Sequence, residues 1–199
     1  MSERKSWGDY YEGAGSVEYL LDHIAIHKEF IAEILNRRPS AALEAGCGSA
    51  IMSVFLAMAG VKVTACDRDD TVLAMAARTA ERWKTRLDIV KTDILSMNFK
   101  TNGFDVVFSQ GVLEHMTDEQ IRRAAAEALR VAPVFVFSVP GKHYNHKDFG
   151  DERLLSAPEW RRILGDSGKL ELRPYYFLRT KRNALMKRPL MLMGVLSRP

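Results

Sequence analysis

Leu43-Glu44-Ala45-Gly46-Cys47-Gly48-Ser49-Ala50 is the stretch that decides how this chain folds. A short apolar run, Ala41-Ala42-Leu43, leads into it, and Ile51 to Ala59 follows with the composition of a helix. Strand, glycine-rich turn and helix in that order make a corner where backbone approaches a nucleotide closely, because glycine puts no Cβ in the way. The type of nucleotide then decides the function.

Outward from this corner, strand and helix patterns alternate, which predicts an α/β fold with a mostly parallel sheet. Before it, Leu20, Ile24, Ile31 and Leu35 share one face of a helix over Val17–Leu35, ended by Arg37-Arg38-Pro39. After it, Gly60 stands where a helix C-terminal cap belongs. A second strand spans Val61–Ala65 with Asp67 just past its end, then a helix over about Thr71–Trp83 and a third strand over Leu87–Lys91. The run Phe104–Phe108 is apolar enough for a fourth strand buried on both faces. Thr117-Asp118-Glu119-Gln120 and Ser156-Ala157-Pro158-Glu159 are capping boxes, each opening a helix, and Val134–Val139 between them is a fifth strand. The rhythm then changes: Leu170–Leu178 and about Leu190–Leu196 read as two strands with no helix between them, hence an antiparallel pair.

The 199 residues suit one domain, 47% hydrophobic and 27% charged, an ordinary balance for a soluble protein. Its start lacks an apolar signal core, and Leu190–Leu196 is too short to span a bilayer, so a cytoplasmic location with no membrane span is expected. The two cysteines, Cys47 and Cys66, read as small buried hydrophobes rather than a disulfide or metal pair. Net charge is +4, but residues 169–199 alone carry +7. That tail suits either a charged sheet edge or a contact for an acidic partner such as nucleic acid.

The residues at the corner narrow the ligand. A dinucleotide fingerprint needs a third glycine where this chain has Ile51, and no Gly-Lys-Ser/Thr of a phosphate loop follows. Glu44, directly before the glycines, would repel a pyrophosphate. A ligand with a cationic end, a carboxylate and a ribose suits the site better: amides near Ser49 and Ala50 for the carboxylate, Glu44 for the ammonium, Asp67 for the ribose hydroxyls. S-adenosylmethionine has these groups.

The same residues carry a resemblance. Glu44-Ala45-Gly46-Cys47-Gly48-Ser49-Ala50 is similar to the E/D-x-G-x-G-x-G motif of class I S-adenosylmethionine-dependent methyltransferases, with Ala50 in place of the third glycine. Asp67 matches that family's ribose-holding acid, and Asp93-Ile94 its position beside adenine. Phe104 to His115 resembles its fourth-strand motif. The resemblance implies a three-layer Rossmann-like fold: a seven-stranded, mostly parallel sheet with an antiparallel C-terminal hairpin strand and helices on both faces. It also implies S-adenosylmethionine as cofactor, with Glu44, Ala45, Gly46, Cys47, Gly48, Asp67, Arg68, Asp93, Ile94, Gln110, Gly111 and His115 as its contacts. Residues 1–40 would then be an N-terminal lid segment and helix, and 41–199 the binding domain, forming a single unit.

The acceptor is less defined. Ser109-Gln110-Gly111-Val112 lacks the Asn/Asp-Pro-Pro-Tyr/Phe of nucleobase-amine and protein-glutamine methyltransferases, which favours a small-molecule acceptor for a monomer or homodimer. The alternatives are an RNA methyltransferase using the basic tail, an inactive cofactor-binding subunit, or an NAD enzyme. His115 is a candidate general base or pocket residue, and His143 a second candidate base. His143, Tyr144 and His146 lie where an acceptor is recognised; two histidines without a defined third ligand make no metal site. Trp7, Tyr10 and Tyr11 either pack on the domain or close over the sulfonium as a lid.

Overall fold

Alternating side chains on the inner strands separate two apolar layers, and this sets the architecture. The computed structural model describes residues 15–144, 151–179 and 187–198. Its elements run α1 (Val17–Leu35), β1 (Ala41–Ala45), α2 (Ile51–Met58), β2 (Lys62–Asp67), α3 (Asp70–Arg82), β3 (Asp88–Lys91) and β4 (Val106–Gln110). A 3-10 turn (Leu113–His115), α4 (Asp118–Val131), β5 (Val134–Pro140), α5 (Ala157–Leu164), β6 (Lys169–Arg179) and β7 (Lys187–Ser197) complete them. Trp7, Tyr10, Tyr11 and His146 lie outside the described residues.

The seven strands form one sheet in the order β3-β2-β1-β4-β5-β7-β6. The first five are parallel; β7 pairs antiparallel with β5 and with β6. In β1, Leu43 and Ala45 join Val107, Phe135 and Phe137 under Ile121, Ala125, Ala128 and Trp160 of α4 and α5. Ala42 turns the other way with Val106, Phe108 and Val136, under Phe30, Ile31 and Ile34 of α1 and Met52 and Leu56 of α2. Three layers result, as the family resemblance implies.

Both capping boxes form: Thr117 pairs with Gln120 and Ser156 with Glu159, each side chain reaching the other's backbone N–H across the first turn or sharing its partner's carboxylate. Gly60 adopts φ +92 just beyond α2, as a helix terminator does.

Among the strand boundaries that depart from the sequence reading, those of β2 and β4 bear on the site. Asp67 is the last residue of β2 rather than a residue beyond it, because β2 pairs with β3 out to Asp67 and Lys91. β4 begins two residues later than Phe104. The Asp105 carboxylate accepts the N–H groups of Ser40 (2.7 Å) and Ala41 (2.9 Å), and its own N–H donates to Ala41 O. Asp105 thereby ties down the entrance to β1, and the ladder starts at Val106 opposite Ala42. The shift places Gln110 at the C-terminal end of the strand.

Candidate active site

In an open parallel sheet, ligands bind beyond the carboxyl ends of the strands, where the order of strands reverses. Here that point lies between β1 and β4. Gly46 (φ +76) and Gly48 (φ +52) turn the chain out of β1 in conformations that favour glycine. A Cβ on Gly46 would stand 2.6 Å from Cγ2 of Val112, so glycine is required by space as well. The N–H groups of Gly46 and Cys47 both donate to Cys66 O at 2.9 Å, fixing the turn to the end of β2. Ala50, at the third-glycine position, also lies in the left-handed region (φ 56) and starts α2 with no side-chain cap.

A cleft of about 210 Å³ opens here. It gathers Gly46, Gly48, Asp67, Arg68, Asp93, Ile94, Gly111 and His115, eight of the residues the sequence singles out, together with Val72, Val112, Met116 and Gln120, which it does not. Burial raises the pKa of Asp67 from its ordinary value, against the pull of the backbone N–H groups of Asp69, Arg68 and Gly48. The N–H of Asp69 donates to its Oδ1 at 3.1 Å. Asp93 Oδ1 accepts from Leu95 N at 2.8 Å, and its other oxygen faces Arg68 across 3.9 Å.

A second, smaller cavity of about 20 Å³ lies under α1, lined by Tyr19, His23, Glu44, Cys47, Ser49, Ile51, Met52 and Gln110. Glu44 is buried, and its Oε2 accepts from Ser53 Oγ (2.5 Å) and Ser53 N (3.2 Å). The carboxylate thus braces the first turn of α2, and burial pushes it up to about 8. The rings of Tyr19 and His23 lie 4.3 Å apart and share the cavity wall with Ser49 and Gln110. Burial lowers His23 to about 4, which keeps the imidazole neutral. Behind it, the His27 Nδ1 lies 2.7 Å from Tyr175 Oη, which also meets Ser138 Oγ at 2.5 Å. Sequence reasoning missed Tyr19, His23 and His27; their i, i+4, i+8 spacing, one polar stripe along α1, was the available signal.

The remaining expected residues divide. Ala45 packs into the apolar layer beneath α4, and lines neither cavity. His115 lines the cleft, with its Nδ1 2.7 Å from Oδ1 of Asp151, a partner the sequence did not suggest. His143 is exposed and Tyr144 half-buried; neither lines either cavity. Several charges of the basic tail serve the fold. Arg173 pairs with Glu33 and Glu171, and Arg198 donates to the carbonyls of Leu129, Arg130 and Ala132 at the end of α4.

Residues 42–133 match the family model described as a methyltransferase domain. The match takes in the strands and helices from β1 to α4, the half of the fold that forms the cleft. A ubiquinone biosynthesis O-methyltransferase of Coxiella burnetii is 26% identical over 120 residues, covering 59% of this chain and 51% of that protein. One of the same name from Methylocella silvestris is 36% identical over 76 residues, 38% of this chain and 30% of that one. The chain therefore spans about half the length, or less, of these curated relatives. Among solved structures, magnesium protoporphyrin IX methyltransferase from Synechocystis, with bound SAH, superposes with a TM-score of 0.68. The identity is 16%, over 90% of this chain and 84% of that one. A SAM-dependent methyltransferase from Aquifex aeolicus gives 0.68 at 14% identity, over 96% and 98%. These likenesses show that the chain has the fold of S-adenosylmethionine-dependent methyltransferases. Among the described residues, no helix is long and apolar enough to cross a membrane.

Proposed function

We propose that this chain transfers a methyl group from S-adenosylmethionine to a small-molecule acceptor. The observation that carries this reading is the cleft that brings the Gly46–Gly48 turn, Asp67 and Asp93-Ile94 together at one end of the sheet. These residues fit the donor. The Asp67 carboxylate, already among backbone donors at the end of β2, would accept the ribose hydroxyls. Asp93 would take the adenine amine, with buried Ile94 as the apolar wall beside the ring. The methionine end would extend toward Ser49, Gln110, Tyr19 and His23, where neutral hydrogen-bonding groups surround the smaller cavity.

When bound, S-adenosylmethionine supplies a carbon already activated by its sulfonium. The chain's work is then to hold the acceptor in line and exclude water, and orientation of this kind contributes on the order of 7–11 kcal/mol. The names of the O-methyltransferase relatives favour a hydroxylated acceptor. The pairing of Arg173 and Arg198 within the fold leaves the basic tail less suited to a polynucleotide.

The test is calorimetric titration of S-adenosylmethionine and NADH into the protein, followed by transfer of labelled methyl groups into extract metabolites and RNA. The expected result is binding of the first ligand alone, a labelled small molecule, and at least tenfold weaker binding in Asp67→Ala. Label found in RNA would overturn the acceptor class. NADH binding without S-adenosylmethionine binding would overturn the reading altogether.

A further inference from the structure

A chain of hydrogen bonds runs through the apolar layer under α1, and contact with the donor does not account for it. His27 Nδ1 lies 2.7 Å from Tyr175 Oη, and Tyr175 Oη lies 2.5 Å from Ser138 Oγ. All three residues are buried, and Tyr175 belongs to the same layer as Phe30, Phe108 and Val136. Burial lowers His27 to about 3, so its ring is neutral and the chain carries no charge. Polar groups buried in such a layer are costly unless each is paired. Paired throughout, they fix one arrangement of the elements that bear them.

Those elements border the two cavities. α1 leaves helical geometry at His27 (φ −104, ψ 18), which parts residues 17–26 from residues 28–35. The later part is anchored by Phe30, Ile31 and Ile34, all buried. In the earlier part only Leu20 is buried, while Val17 and Leu21 are exposed. Yet this thinly anchored part carries Tyr19 and His23, which wall the smaller cavity together with Ser49 and Gln110. At the other end of the chain, Ser138 stands opposite Gln110 in the register of β4 and β5. Its carbonyl accepts the N–H of Gly111, a residue of the cleft, at 3.0 Å. Tyr175 thus ties the bend of α1 to the strand end that borders both cavities.

We propose that Tyr175 is a positioning residue for the methyl donor: its hydroxyl, bonded to His27 at the bend and to Ser138 beside the cleft, sets residues 17–26 so that Tyr19 and His23 meet the methionine end. Tyr175 itself lines neither cavity, so it acts through α1. The smaller cavity, about 20 Å³, has room for little more than a water molecule. A small displacement of its wall therefore changes what it receives, and groups held slightly out of place cost a bound ligand much of its orientation. Removing the hydroxyl frees the bend without removing any group that touches the donor. The adenosine end, held at the Gly46–Gly48 turn, Asp67 and Asp93, does not depend on that bend. This role rests on the proposed donor, and it extends the machinery that receives it to β6, the edge strand of the sheet.

Calorimetric titration of S-adenosylhomocysteine and of 5′-methylthioadenosine into the full chain tests this role. Both ligands carry adenosine and a thioether, and only the first has the amino-acid end. Tyr175→Phe keeps the ring and removes the hydroxyl. It should bind S-adenosylhomocysteine at least about fivefold more weakly, and 5′-methylthioadenosine within about twofold of wild type. A hydroxyl that serves the fold alone would move both ligands together or neither. Tyr175→Phe combined with His27→Leu also removes the imidazole that the single variant strands, so it should melt no lower than Tyr175→Phe alone. Because the two side chains act as one unit, the double variant should show the same selective loss. Equal weakening of both ligands, unchanged affinity for S-adenosylhomocysteine, or a larger loss in the double variant than in the single overturns the proposal. Wild type that binds neither ligand removes the donor reading and this role with it. Wild type that binds both, while the variants show no selective loss, removes only the role of Tyr175.

Discussion

Gly46 meets two requirements at once, a left-handed backbone and clearance from Val112. A Gly46→Ala variant should lose about 1–3 kcal/mol of stability, from backbone strain and the displaced valine. It should also lose S-adenosylmethionine affinity, since the turn would be pushed into the cleft. Urea denaturation and calorimetry measure the two effects; affinity within twofold of wild type would refute the second. Gly46, Gly48 and Asp67 were legible in the sequence because backbone geometry and charge leave few residue types suitable at such positions. The demand on Ala50 was not. Alanine there looks like a mild replacement, yet it sits at φ 56, a conformation costing roughly 1–2 kcal/mol outside glycine. Asp151 was also invisible, since its link to His115 joins residues far apart in the chain.

At the scale of elements, α1 divides into a face that was legible and one that was not. Apolar periodicity found its extent and two of its buried residues, Leu20 and Ile31, but missed Phe30 and Ile34, which are fully buried. The polar stripe carries no such periodic signal and acquires meaning only when Tyr175 and Gln110 arrive from distant strands. His27 also makes this helix sensitive to acid. Burial, followed by the neighbouring His23, lowers its pKa from 6.5 to about 3. A depressed histidine favours the fold above pH 6.5, and that contribution is lost as pH falls from there toward about 3. Between pH 7.5 and pH 5, His27→Gln should therefore lose less stability than wild type, by on the order of 2 kcal/mol. Urea midpoints at the two pH values check this, and parallel losses in both proteins would contradict it. The boundary of β4 failed for another reason: Phe104 and Asp105 have a strand-like pattern, but the Asp105 side chain is committed to the N–H groups of Ser40 and Ala41.

Over the whole molecule, the mostly parallel sheet and its antiparallel last pair were the most legible properties, since strands alternate with helices until a helix-free strand pair closes the chain. The sequence did not show how closely β7 fits against β5. Gly194 lies opposite Phe137, and a Cβ there would be 2.0 Å from the phenylalanine ring. Gly194→Val should lower stability by about 3 kcal/mol or prevent folding, whereas Gly194→Val combined with Phe137→Ala should recover part of the loss. Thermal melting of the single and double variants reads this coupling. Additive effects would show that the ring and the glycine are independent.

The position of β7 has a consequence for the making of the chain. β5 gains one neighbour as soon as β4 is available, but its other edge waits for residues 187–197. That edge belongs to a strand containing Phe135, Val136, Phe137 and Val139, all buried in the finished fold. At ribosomal speeds of about 5–20 residues per second, the nascent protein spends several seconds with the middle of its future sheet open to solvent and to other chains. A message cut short before residue 187 would leave it open permanently, and its product would be a substrate for chaperones and proteases rather than for the chemistry of the cleft.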